Sequence, residues 1–201
     1  MIALIDYKAG NLTSVRKALA AINADVFTPD TPAQLAGAAA IIVPGVGHFG
    51  STRALDDAWV EAIRTHVGAG RPLLGICLGM QWLYEGSDEA PDLPGLGLLA
   101  GSCRRLQIDA GSALKVPHVG WNSLAHTREA SIVDGIANGA QVYFTHSYVA
   151  PVTNDTVAST EHGEAFASVV QRGRVAGVQF HPEKSSDVGI RILRNFMRMV
   201  G

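Results

Sequence analysis

Residues 73–84 read LLGICLGMQWLY. The first five form a continuous apolar run without polar alternation, the pattern of a strand buried on both faces. Met80, Leu83 and Tyr84 then follow at helical spacing. Between the two, Gly75-Ile76-Cys77-Leu78-Gly79 puts one cysteine at a strand-to-helix turn. A turn this tight strains its central residue and leaves no room for neighbouring side chains, which glycine satisfies. A helix N-terminus favours the thiolate, the reactive form of cysteine. The setting is that of a nucleophile elbow, with cysteine in place of serine. A buried structural cysteine is the plainer alternative, and Cys103, which has no such setting, is read that way.

Upstream of the elbow, short apolar runs alternate with helical patterns. MIALID reads as a strand, and Asn11 is a suitable N-cap for a helix carrying Leu12, Val15, Leu19 and Ile22. DVFTP and AAIIVPG read as strands, and a helix is expected from about Arg53 to Val67, ended by Gly68 and Gly70. That rhythm predicts a parallel sheet covered by helices. After about Pro94 the pattern changes. GLGLLAG, CRRLQI, QVYFTHSYV, TVASTEH, FASVVQ and VAGVQF read as strands, with QRGR as a tight hairpin between the last two. The segment from Ser186 to Val200 places Val188, Ile192, Leu193, Phe196 and Met197 on one helical face. The expected fold is a mixed α/β domain: a mostly parallel central sheet covered by helices, with an antiparallel portion in the C-terminal half.

The 201 residues, 47% hydrophobic with a net charge of −2, suit one domain spanning 1–201 with a sizeable core. No linker, repeat or low-complexity stretch divides them. The charge balance argues against nucleic acid, which needs a clustered basic surface. No apolar run approaches the ~18 residues of a membrane span, and the N-terminus lacks the basic head of a signal peptide. Two cysteines are too few for a disulfide framework, so a reducing cytoplasm is the expected location.

A thiol nucleophile needs a base held by a third group. Among the seven histidines, His181 directly follows the apolar strand VAGVQF, at an expected carboxyl end of the sheet, where α/β active sites lie. Pro182 stops the strand, and Glu183 is near enough to accept from the other ring nitrogen. Alone, His-Pro-Glu is also an ordinary strand-end turn. A metal centre is not expected, since no histidines sit at i, i+4 on a helix and no Cys-x-x-Cys exists. Gly45-Val46-Gly47-His48-Phe49-Gly50 matches G-x-G-x-x-G, but the acidic residue that a dinucleotide site wants ~20 positions on is missing. Small residues there would let backbone N–H groups face an oxyanion; a simple strand-to-helix turn is the alternative.

At these residues the chain resembles the triad class of glutamine amidotransferases. GICLGMQ carries the nucleophile, HPEKS the base and its orienting acid, and PGVGHFG is similar to the oxyanion strand. IDYKAGNL at the start, VPHVGWN at 116–122 and YFTHSY at 143–148 are similar to segments of the glutaminase subunits of imidazole glycerol phosphate synthases. The resemblance covers the chain from the first strand to the last helix. It implies Cys77 as nucleophile, His181 as acid and base, and Glu183 as orienter. It also implies an oxyanion hole from Gly45, Val46, Gly47 and Leu78, and glutamine held by Gln81, Glu89, Ser147 and Tyr148. No cofactor is implied. Ammonia would pass to a separate (β/α)8 cyclase subunit in a heterodimer, with His118, Gly120, Trp121 and Asn122 lining the contact, although Trp121 equally suits a core. Three rivals stay open: a glutaminase serving pyridoxal phosphate or anthranilate synthesis, a noncatalytic α/β protein with a reactive cysteine, and a cysteine hydrolase of other amides or esters.

Overall fold

The computed structural model describes residues 1–200. Strand β1 (Ile2–Leu4) leads to helix α1 (Leu12–Ala20), then β2 (Val26–Phe27), β3 (Ala40–Val43), α2 (Asp57–Gly68), β4 (Leu73–Ile76) and α3 (Leu78–Trp82). Short strands β5 (Gly86–Ser87), β6 (Ser102–Arg105), β7 (His118–Ser123) and β8 (Ala125–His126) follow. The chain closes with β9 (Gln141–His146), β10 (Tyr148–Val149), β11 (Thr156–Glu161), β12 (Ala165–Arg172), β13 (Val175–Val178) and α4 (Ser186–Val200).

The main sheet has eight strands in the order β2-β1-β3-β4-β13-β12-β11-β8. From β2 to β13 the pairs are parallel, and from β13 to β8 they are antiparallel. The mixed sheet expected from the sequence is therefore present. Its parallel strands are apolar throughout because both faces are covered. In β3, Ala40 and Ile42 pack with Val15 and Leu19 of α1 and with Ile192 and Phe196 of α4, while Ile41 and Val43 pack with Ile63 of α2 on the other face. The amphipathic α4 buries Ile192, Leu193 and Phe196 completely, which contributes about 1.5–3 kcal/mol for each side chain.

Four expectations about elements need correction. The helix expected from Arg53 begins at Asp57, because Asp56 caps it by accepting from the N–H groups of Ala58 and Trp59; residues 49–54 form a 3-10 turn instead. GLGLLAG is not a strand. The amides of Gly95, Leu96, Gly97 and Leu98 donate to the carbonyls of Glu85, Trp82, Tyr84 and Leu83, satisfying the end of α3 rather than a sheet neighbour. The elbow helix itself is five residues long, with Leu83 as its C-cap. QVYFTHSYV breaks at Ser147, so β9 pairs with β7 and β10 with β6. The QRGR hairpin is present, with Arg172 opposite Val175 and Gly173 at φ 56°. Among the described residues no helix is long and apolar enough to cross a membrane.

Candidate active site

Cys77 sits where β4 ends and α3 begins, with φ 53° and ψ −109°, a strained backbone for a residue with a side chain. Both flanking glycines are required by contact. A Cβ on Gly79 would stand 1.8 Å from the carbonyl oxygen of Val43, and one on Gly75 would stand 2.6 Å from that of Gly79. The Cys77 amide donates to the Val178 carbonyl at 2.8 Å, which ties the elbow to β13.

Parallel pairing of Ile76 with Val178 carries β13 past the nucleophile and brings His181 to the same sheet edge. Pro182–Lys184 form a 3-10 turn that returns Glu183 to the imidazole. His181 Nδ1 and Glu183 Oε1 are 2.9 Å apart, with side chains only 2% and 1% exposed. The ring's backbone is fixed on three sides. His181 N–H donates to the Tyr143 carbonyl at 3.0 Å, Ser185 Oγ donates to the His181 carbonyl at 2.7 Å, and Tyr143 N–H donates to Ser185 Oγ at 2.9 Å. Burial alone would strip the proton from His181, but contact with Cys77 and Glu183 and their negative charge outweigh it and raise its pKa to about 10. The second nitrogen, Nε2, is buried without a hydrogen-bond partner. The arrangement suits an imidazolium held in the same site as the Cys77 sulfur.

Beside the sulfur lies a cavity of about 280 Å³ lined by Cys77, Gln81, Glu89, Ser147, Tyr148 and Gly47, among others. The expected glutamine-holding residues thus share one hollow, just below the ~300–1,000 Å³ typical of ligand pockets. Gln81 Nε2 donates to the Tyr148 carbonyl at 2.9 Å and to Gln179 Oε1 at 3.0 Å. Glu89 Oε2 accepts from the N–H of Phe49 at 2.7 Å, so it also anchors the glycine loop. A larger hollow of about 910 Å³, between residues 126–136 and α4, contains no cysteine. Among the described residues, no three His, Cys, Asp or Glu side chains gather as a metal site.

The glycine loop is arranged differently from the expected oxyanion hole. Val46 N–H donates to the Ala9 carbonyl at 2.7 Å, and Leu78 N–H points at the Gly45 carbonyl at 3.4 Å. Two of the four expected donors are thus committed, because a buried peptide N–H takes the carbonyl within its reach. Gly47, at φ 95°, does line the cavity. The loop leads into a 3-10 turn whose Gly50 N–H donates to the His48 ring. No α-helix starts there to receive a pyrophosphate.

The expected contact strand alternates. In β7, Val119 and Trp121 are 57% and 53% exposed, whereas His118 is 3% exposed. Side chains on a strand point alternately to its two faces, so His118 belongs to the interior, stacked between Phe144 and His162. Asn122 also turns inward, donating to the Glu161 carbonyl. Val119, passed over in the sequence, replaces them on the outer face. Tyr143 stands edge-on to Trp121, with Lys184 over its ring. Sequence reasoning also missed Gln179, His146 and Ser185. Gln179 is legible as a polar residue within the apolar run VAGVQF and His146 as a histidine closing QVYFTH; Ser185 gave no signal.

The pattern of the family described as "Glutamine amidotransferase class-I" matches residues 3–200. The chain is similar to the "Imidazole glycerol phosphate synthase subunit HisH" of Xanthomonas euvesicatoria, at 46% identity covering 98% of this chain and 97% of that protein. The proteins of the same description from Bacillus cytotoxicus (42%; 100% and 95% covered) and Thermococcus kodakarensis (43%; 99% and 100%) are similar to it as well. Among solved structures, a crystal structure of glutamine amidotransferase has a TM-score of 0.76 at 21% identity, covering 100% of both chains. The structure of PurLQS from Thermotoga maritima has a TM-score of 0.73 at 18% identity, covering 100% of this chain and 98% of that one. At such identities the structures speak for the fold.

Proposed function

The chain belongs to the glutamine amidotransferase class-I family, and we propose that Cys77, His181 and Glu183 are the triad with which it hydrolyses glutamine. Its role is that of the glutamine amidotransferase subunit of imidazole glycerol phosphate synthase, in histidine biosynthesis. The observation that carries the triad is the convergence of the strained Cys77 and the buried His181–Glu183 pair at the ends of two paired parallel strands.

In this reading the Cys77 thiolate attacks the carboxamide carbon of glutamine held by Gln81, Glu89, Ser147 and Tyr148. The carbonyl electrons move to oxygen. The N–H groups of Leu78 and the Gly45–Gly47 loop stabilise that oxyanion once the Gly45–Val46 peptide has turned, releasing Val46 N–H from Ala9 and withdrawing the Gly45 carbonyl from Leu78. His181, protonated at neutral pH, gives its proton to the leaving nitrogen, and ammonia departs from a thioester. The neutral imidazole then takes a proton from water, which releases glutamate and restores the thiolate. Glu183 keeps the ring oriented and supports its positive charge.

The relatives' shared description as a synthase subunit implies a cyclase partner. We read that partner as a (β/α)8 barrel forming a heterodimer in the cytoplasm and receiving the ammonia without release to solvent. Trp121, with Val119 and Gly120 beside it and exposed close to His181, suits its docking face, because exposed tryptophan is a common interface anchor. The chain is read as one domain, since the main sheet draws strands from both of its ends.

The test is glutamine-dependent formation of imidazole glycerol phosphate by the chain mixed with such a cyclase and its nucleotide substrate. Product with this cyclase, and none with pyridoxal phosphate or anthranilate synthases, is the expected outcome. Equal stimulation by one of those synthases would reassign the partner.

A further inference from the structure

An unbroken line of hydrogen bonds runs from β7 to the sulfur of Cys77. Asn122 Nδ2 donates to His118 Nε2 at 3.3 Å, His118 Nδ1 is 3.1 Å from His146 Nε2, and His146 Nδ1 is 3.0 Å from the Tyr148 carbonyl. That carbonyl accepts a second bond from Gln81 Nε2, which also donates to Gln179 Oε1. Gln179, completely buried, ends the line with its Nε2 3.7 Å from Cys77 Sγ.

Chemistry fixes the direction of every bond. A carbonyl only accepts, so His146 carries its proton on Nδ1 and accepts at Nε2. His118 must therefore carry its proton on Nδ1 and accept from Asn122. Both rings have to be neutral for this, and burial first, with neighbouring imidazoles second, lowers His118 to about 4 and His146 to about 3. Gln179 turns its oxygen to the Gln81 amide and must then turn its N–H to the sulfur. Reversing any member would set two acceptors or two donors face to face.

We propose that Gln179 is a positioning residue for Cys77, its amide N–H orienting and stabilising the thiolate, and that the His118–His146 pair holds this amide in register with the docking strand. The proposal rests on Cys77 being the nucleophile. The acyl-transfer steps do not otherwise require Gln179, His118 or His146. The line starts on the inward face of β7, at His118 and Asn122, on the strand whose outward face carries Val119 and Trp121.

The test compares Gln179→Met, which keeps length and removes the donor, with Gln179→Leu in the assembled complex. Glutaminase kcat and KM, the rate of iodoacetamide alkylation at Cys77 followed by mass, and the thermal midpoint are measured together. We expect kcat and the alkylation rate to fall in parallel by about tenfold, as a lost hydrogen bond to a charged group would cause, with KM for glutamine within about twofold. A merely structural Gln179 would move the thermal midpoint and leave the alkylation rate of folded molecules unchanged, which overturns the proposal. Should neither variant fold, the histidines decide. His118→Leu should lower kcat a few-fold and His118→Asn, whose amide N–H stands in for Nδ1–H, should restore it; equal kcat in the two overturns the proposal. Glutamine turnover retained by Cys77→Ala would instead remove the nucleophile itself, a separate failure.

Discussion

At the end of β13 the His181 ring is held by Glu183 at 2.9 Å and its backbone by Tyr143 and Ser185. In the loop after β3, by contrast, Val46 N–H is spent on Ala9 and the Gly45 carbonyl faces the Leu78 N–H. In the proposed site the acid–base half is assembled, and the oxyanion half is turned away. A rotation of the single Gly45–Val46 peptide would exchange them, freeing two N–H groups and withdrawing one carbonyl. It would break one good hydrogen bond and one long one, a net cost of about 1–2 kcal/mol, and Gly47 already tolerates a positive φ. A change this small lies within what a docking partner supplies. The contrast predicts that turnover is limited by where donors are placed, not by where protons are held.

The largest effects test the assembled half. Cys77→Ala should reduce glutamine-dependent synthesis by about 10⁶-fold, to background, since members of a triad act as a unit. Synthesis from added ammonium salt should persist, because the cyclase needs only ammonia. His181→Ala should cost nearly as much, and a loss under tenfold would show that another group moves the proton. The loop comes next. One missing oxyanion donor costs roughly 10²–10³ in rate. Steady-state kinetics of the free chain, the binary complex and the complex with nucleotide should therefore rise by about that factor in kcat, with little change in KM. Equal kcat in all three would mean that the peptide orientation seen here does not limit turnover.

What the sequence disclosed follows the same division. Cys77 and His181 were legible because strand ends, glycine contacts and apolar runs are local patterns, and β4 and β13 carry them without interruption. The residues expected to form an oxyanion hole were legible as a glycine loop, but the directions of their N–H groups were not. Whether Val46 donates to Ala9 or to a substrate depends on a contact between segments far apart in the chain. His118 was misplaced for a simpler reason. The inward and outward faces of β7 cannot be told apart in VPHVGWN until β9 fixes which side is covered. GLGLLAG looked like a strand because its apolar residues are real, yet its amides serve the end of α3. Gln179 stood in plain view as a polar residue directly after a buried strand, and only its partners at Gln81 and Cys77 give it meaning.

The smallest expected effect separates orientation from charge in the assembled half. His181 has a pKa of about 10 against 6.5 for the free side chain. The folded value is the raised one, so the imidazolium's contribution is complete below 6.5 and disappears as pH rises through about 10. The rate should follow, because the leaving ammonia loses its acid on the same limb. Glu183→Gln keeps an oxygen that can accept from Nδ1–H but removes the negative charge, one of the causes that lift the proton affinity. The alkaline limb of kcat/KM, which reports the free enzyme, should therefore move below pH 10. At pH 8 the loss should be about tenfold, consistent with a weakened acid rather than a missing one. It should shrink as pH falls towards 6.5, where the imidazole is protonated in either protein. Profiles between pH 6 and 10.5 for both proteins would show this. Coincident alkaline limbs with a uniform loss at all pH values would mean that Glu183 only aims the ring and does not hold its proton.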